Sequence, residues 1–100
     1  MHKLIVLYRK PKDTEAFFKY YHDVHLPLVR KIPGLERINV NQVTGSPMGG
    51  DPEYFLIVEM CYPDKDTFVQ AMKSPENLET GKDVANFAAG LVTVVTAVQQ

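Results

Sequence analysis

Apolar and polar positions along the chain divide it into six segments with different periods. The first apolar run, LIVLY at Leu4 to Tyr8, is short and β-branched and passes into the polar stretch RKPKD, as a strand does when it leaves into a helix start. Asp13 stands where an N-cap belongs, and from Thr14 the side chains Phe17, Tyr20, Tyr21, Val24 and Leu28 recur at helical spacing. IPG at Ile32 to Gly34 ends that helix, because a residue before proline avoids helical dihedrals and glycine accepts the left-handed turn that closes a helix. LERINVNQVT alternates with period two, and YFLIVEMCY is a nearly unbroken apolar run of strand length; both predict strands, joined by the turn-rich TGSPMGGDPE from Thr44 to Glu53. DKDTFVQAMKS, with Asp64 as cap, and SPENLETGKDVANFA, with Ser74 as cap and Pro75 at the first helical position, predict a helix in two pieces. LVTVVTAV has the composition of a closing strand.

The order strand, helix, strand, strand, helix, strand predicts an α+β, ferredoxin-like βαββαβ sandwich spanning residues 1–100 as one domain, with both helices on one face of a four-stranded antiparallel sheet. The other face is left bare. The third strand is apolar on both parities, with Tyr54, Leu56, Val58 and Met60 on one and Phe55, Ile57 and Cys61 on the other, so a partner is expected to cover the open face. A second copy laid sheet against sheet makes a homodimeric α+β barrel with two-fold symmetry. The alternative is a monomer whose TGSPMGGDPE loop folds over the sheet, although a glycine-rich polar loop supplies little apolar cover.

Composition narrows the partners. With 45% hydrophobic and 23% charged residues and a formal net charge of -1, the chain has the make-up of a soluble globular domain and no dense basic patch, so nucleic acid is not an expected partner. No stretch is long and apolar enough to span a bilayer and the start lacks a secretory pattern, so no membrane partner is expected. The single cysteine, Cys61, allows no disulfide within the chain and fits a reducing compartment, which makes the cytoplasm the expected location.

Candidate chemistry concentrates in FFKYYHDVHLPLVRKIPGL. Around an ideal helix, Phe17, Tyr21, Val24 and Leu28 form the core stripe, and Phe18, His22, His25 and Val29 form the stripe beside it, which puts both histidines at the border of the core. Pro27 cannot donate to the Asp23 carbonyl and clashes with it, so a kink or pause is expected at His25 and Leu26. A bend of that kind can aim an imidazole into a cleft, where a pKa near neutrality suits proton transfer; a helix-terminal histidine bonded to a backbone carbonyl is the plainer possibility. HDVH could offer two ligands to a metal, but no second ligand cluster accompanies it, and no metal is expected. Glu59 interrupts an apolar strand, so its carboxylate must either take a raised pKa, as a general acid or base does, or find a donor such as Arg37 or a histidine. Tyr8 could supply a phenol to the same cavity. His22, Asn39 and Phe55 are candidate substrate contacts, whereas no phosphate loop or serine hydrolase signature occurs.

YYHDVHLPLVRKIPGL, with His25, Pro27, Leu28, Pro33 and Gly34, resembles the first-helix motif of the ethyl tert-butyl ether degradation (EthD) family, and KLIVLYRKPKD, SPE at Ser74 to Glu76 and DVANF at Asp83 to Phe87 are similar to its pattern elsewhere. The resemblance implies a dimeric α+β barrel with a ferredoxin-like protomer, in a superfamily whose members include monooxygenases, isomerases, cyclases and haem-degrading enzymes. His22 is not part of the family motif. Two functions follow as expectations. One is a cofactor-independent enzyme, of oxidoreductase, monooxygenase or isomerase type, acting in a degradation pathway on a small apolar oxygenated metabolite, with His25 as acid or base and Glu59 or Tyr8 assisting. The other is a non-catalytic accessory that binds a hydrophobic ligand or haem, or supports an oxygenase.

Overall fold

A computed structural model describes all 100 residues. The elements are β1 (His2–Tyr8), α1 (Thr14–Tyr20), a π-helical turn (Tyr21–His25), α2 (Leu26–Val29), β2 (Arg37–Gln42), β3 (Leu56–Tyr62), α3 (Lys65–Met72), α4 (Pro75–Phe87) and β4 (Val92–Val98). The predicted caps form as their chemistry requires. Asp13, Asp64 and Ser74 accept hydrogen bonds from the backbone N–H of Ala16, Thr67 and Asn77, which satisfies donors that a helix start leaves free.

The strands make one antiparallel sheet in the order β2-β3-β1-β4, with β1 paired to β3 and β4, and β2 to β3. This is the α+β, ferredoxin-like βαββαβ arrangement. Because side chains alternate, the even positions of β3, Leu56, Val58, Met60 and Tyr62, turn toward the helices and are buried together with Val6 and Tyr8 of β1. Odd positions make the open face. There Ile5, Leu7, Ile57 and Val95 share the surface with Lys3, Arg37, Asn39, Asn41 and Glu59, so that face is apolar toward β1 and β4 and polar toward β2.

The first helix departs from the periodic reading at one place. The chain does not break at Pro27: Tyr20, Tyr21, His25 and Leu26 all keep right-handed helical dihedrals, and the turn widens, with the Leu26 N–H donating to the carbonyl of Tyr21 five residues back. A π turn absorbs the proline by shifting the ladder. It also advances the inward line by one residue. Phe17 and Tyr21 are buried as expected, but the next buried positions are His25, Leu26 and Val29, while Val24 is exposed. His25 therefore lies inside the core instead of at its border. At the C-terminal end of this helical stretch Gly34 has φ of 80°, and a Cβ there would overlap Thr67 Cγ2 of α3, so both the turn and the close approach require glycine.

Candidate functional site

Between the helices and the sheet lies a cavity of about 240 Å³. Leu4, Val6 and Tyr8 of β1, Met60 of β3 and Val94 of β4 line the sheet side, and His25, Val29 and one stripe of α4 line the other. No lysine, arginine, aspartate or glutamate is among the lining residues. His25, 3% exposed, is its titratable imidazole, brought there by the π turn. Its ring packs on Phe87 at 4.8 Å and Tyr21 at 5.4 Å between centroids.

One edge of that ring is held. His25 Nδ1 lies 2.9 Å from Oδ2 of Asp83 on α4, and the Tyr20 hydroxyl donates to the other carboxylate oxygen in a short hydrogen bond. Asn86 Nδ2 donates in turn to the Tyr20 oxygen at 3.3 Å. An ionised carboxylate only accepts, so the proton of a neutral imidazole sits on Nδ1 and Nε2 is left as the basic nitrogen. Burial lowers the His25 pKa below that of a free imidazole, and the hydrogen bond and charge of Asp83 oppose that fall without reversing it. Neutral His25 is thus the form the fold favours near pH 7. Tyr8 lines the same cavity at 1% exposure, and burial, reinforced by Tyr21 and Asp83, pushes its phenol far up, so it remains a hydrogen-bond donor.

The other candidates lie elsewhere. Glu59 projects from the open face, on the far side of the sheet from His25, because odd positions of β3 turn away from the helices. Its partner is Lys3, 3.0 Å away, with Asn39 Nδ2 at 3.2 Å. The Lys3 hydrogen bond and then that of Asn39 hold the carboxyl below its ordinary pKa. The donor is therefore a lysine, not the expected Arg37 or histidine, and Glu59 does not join His25. Asn39 sits with Glu59 on the open face. His22 is exposed and stacks on Phe18 at 5.9 Å. Phe55 packs on the same Phe18 ring at 5.0 Å, on the wall of a separate, open cleft of about 820 Å³ with Lys10, Glu15 and Asp51 at its edge. That cleft holds no buried titratable side chain. His22 and His25 do not converge, and no third ligating side chain joins either of them.

Asp83 was visible in the sequence only as part of DVANF. A signal for it does exist, since Thr80, Asp83, Val84 and Phe87 follow the i, i+3, i+4, i+7 spacing of an inward stripe, and a carboxylate on such a stripe needs a donor.

The comparisons with known proteins agree with this architecture. The EthD domain model matches residues 9–90. An uncharacterized 11.0 kDa protein of the thcB-thcC intergenic region of Rhodococcus erythropolis is 34% identical over 95 residues, covering 95% of this chain and 91% of that protein. The crystal structure of an EthD family protein from Bacillus halodurans is 42% identical, with a TM-score of 0.93 over 100% of this chain and 99% of that one. A dimeric ferredoxin-like protein of unknown function from Thermobifida fusca, 18% identical, shares the fold with a TM-score of 0.69 over 98% of this chain and 90% of its own. A whole-length match in sequence and in topology, with His25 and Asp83 both inside the matched span, makes this chain a member of the EthD family.

Proposed function

We propose that this chain is a homodimeric enzyme that needs no cofactor and moves a proton on a small, neutral, largely apolar oxygenated compound bound beneath His25. The observation that carries the reading is a buried imidazole, held through Nδ1 by Asp83 at 2.9 Å, lining a cavity with no charged side chain besides. A neutral imidazole with a free Nε2 is a base, and a phenol that stays protonated is a donor for an oxygen on which charge develops. Together they suit proton abstraction next to a carbonyl: His25 Nε2 takes the proton, Tyr8 hydrogen-bonds the resulting enolate oxygen, and return of the proton gives exchange at that carbon or, where the enolate is conjugated with a C=C bond, delivery to the far carbon and a shifted double bond. Asp83 is the positioning residue, stabilising the imidazolium that forms. Glu59 has no part in this step.

The cavity also speaks to the alternatives. Its volume is below the roughly 300–1,000 Å³ of pockets that take drug-sized ligands, which favours a small compound over a haem. A non-catalytic binder would use the same cavity with His25 orienting the ligand. For the partner, Ile5, Leu7, Ile57 and Val95 on the open face support a second copy packed sheet against sheet, in keeping with the dimeric relative in fold.

The test is solvent deuterium exchange at the carbon next to the carbonyl in a panel of small neutral ketones and enones, followed by NMR. Wild-type protein is expected to accelerate exchange of at least one compound, and His25→Gln to abolish it. Exchange that persists in His25→Gln, or binding without exchange across the panel, contradicts the catalytic reading; the second result leaves the binder.

A further inference from the structure

Where α4 borders the cavity, its inward stripe carries a glycine. Gly81 lies in the middle of the thirteen-residue α4, and Asn77, Thr80 and Val84, its neighbours on that stripe, line the cavity with it. Glycine is the poorest interior helix former after proline, so its presence here needs a reason. The usual ones do not apply. Gly81 is not among the glycines with positive φ, and a Cβ on it would meet no heavy atom within 4 Å, so neither the backbone conformation nor a close approach demands it. What a side chain would occupy at this position is the space above the cavity, where Gly81 is exposed while Thr80 beside it is buried.

We propose that Gly81 is the aperture of the site and sets the bulk of the compound that reaches His25. The mouth it keeps open is not polar in effect, because the Thr80 hydroxyl already donates to the Asn77 carbonyl at 2.7 Å and the Asn77 side-chain amide donates to the Met72 carbonyl. The polar groups left to a ligand are His25 and Tyr8 at the inner end, and Leu4, Val84 and Val94 surround the rest. The ligand class is a neutral molecule with one oxygen function inward and an apolar remainder toward Gly81. Anionic compounds would enter with no cation to receive them. The ligand chemistry rests on the function proposed above, whereas the aperture rests on the helix and the cavity alone.

The test compares wild type with Gly81→Ala, Gly81→Leu and, as a control on the neighbouring exposed position, Lys82→Leu. The probes are xenon, which enters apolar cavities whatever their function, and cyclohexanone, both followed by NMR, beside thermal unfolding of each protein. Gly81→Ala is expected to raise Tm by about 2–8 °C through helix propensity. Gly81→Leu should keep the protein folded and weaken xenon and cyclohexanone binding at least ~10-fold, with Lys82→Leu binding as wild type does. Uptake of xenon by wild type and not by Gly81→Leu, with no cyclohexanone bound to either, would uphold the aperture and count against the ligand chemistry. Absence of xenon from wild type, undiminished binding in Gly81→Leu, equal loss in Lys82→Leu, or a lower Tm in Gly81→Ala would overturn the proposal.

Discussion

Replacing Asp83 by asparagine removes the charge that holds His25 while keeping the size of the side chain. In the native site two donors meet this carboxylate, His25 Nδ1 at 2.9 Å and the Tyr20 hydroxyl, and the His25 and Asp83 side chains are only 4% and 12% exposed. Asparagine offers one acceptor oxygen where there were two, and its amide must face either the tyrosine oxygen or the imidazole. Charge-assisted hydrogen bonds of this kind contribute about 1.5–3 kcal/mol each, and asparagine retains part of that, so the expected loss is about 1–3 kcal/mol, or a Tm lower by roughly 5–15 °C. The effect on the proposed proton transfer has a separate signature. Asp83 opposes the lowering of the His25 pKa by burial; without its charge only burial remains, and the acid limb of the rate profile moves to lower pH. The rate on its plateau is expected to fall ~10-fold or more, because an amide turned toward Nδ1 selects the tautomer with Nε2 protonated. Urea unfolding and a pH–rate series on Asp83→Asn measure both effects. A variant with wild-type stability and an unmoved acid limb would refute the assignment of Asp83 as the residue that holds the base.

Three further outcomes are expected. In wild type the acid limb itself should fall below the ~6.5 of a free imidazole; because the folded pKa is depressed, His25 also contributes stability that is present above about pH 6.5 and lost as pH falls through the folded value, which unfolding between pH 7.5 and 5 measures against His25→Gln. Gly34→Ala should cost about 2–4 kcal/mol from the left-handed backbone and the overlap with Thr67, and Thr67→Ser, which deletes the overlapping methyl, should recover part of that loss in urea titrations. On the open face, Glu59→Leu alone should weaken the proposed dimer by leaving Lys3 unpaired, while Lys3→Met with Glu59→Leu should restore it or exceed wild type; dimer populations in sedimentation-velocity ultracentrifugation would decide, and a wild-type monomer at micromolar concentration would contradict the covered face.

Strand and helix order, the three caps and the closing IPG turn could be read from the sequence because each depends on neighbours within a few residues. The two faces of β3 could not be told apart. Both parities are apolar, and only the side taken by the helices makes Leu56, Val58, Met60 and Tyr62 the core and leaves Glu59 to Lys3. At the site, the sequence pointed to His25 through Pro27 and to a kink or pause there, whereas the π turn that buries the imidazole follows from how the helix resolves the clash against its packed neighbours. Asp83 is marked in the sequence only as a carboxylate on an inward helical stripe, and its partner was beyond reach for a different reason. Asp83 lies 58 residues from His25, and no local pattern reports a hydrogen bond made across two helices.

The protonation state of the His25 ring is the most direct measure of the account. Long-range proton–nitrogen correlation spectra of ¹⁵N-histidine protein at pH 7 are predicted to show His25 neutral, protonated on Nδ1 and bare on Nε2, with its Nε2 resonance moving when cyclohexanone is added. A ring protonated on Nε2, a ring still charged at pH 7, or a bare Nε2 that is indifferent to every small ketone would contradict a base held by Asp83 at the head of a ligand cavity.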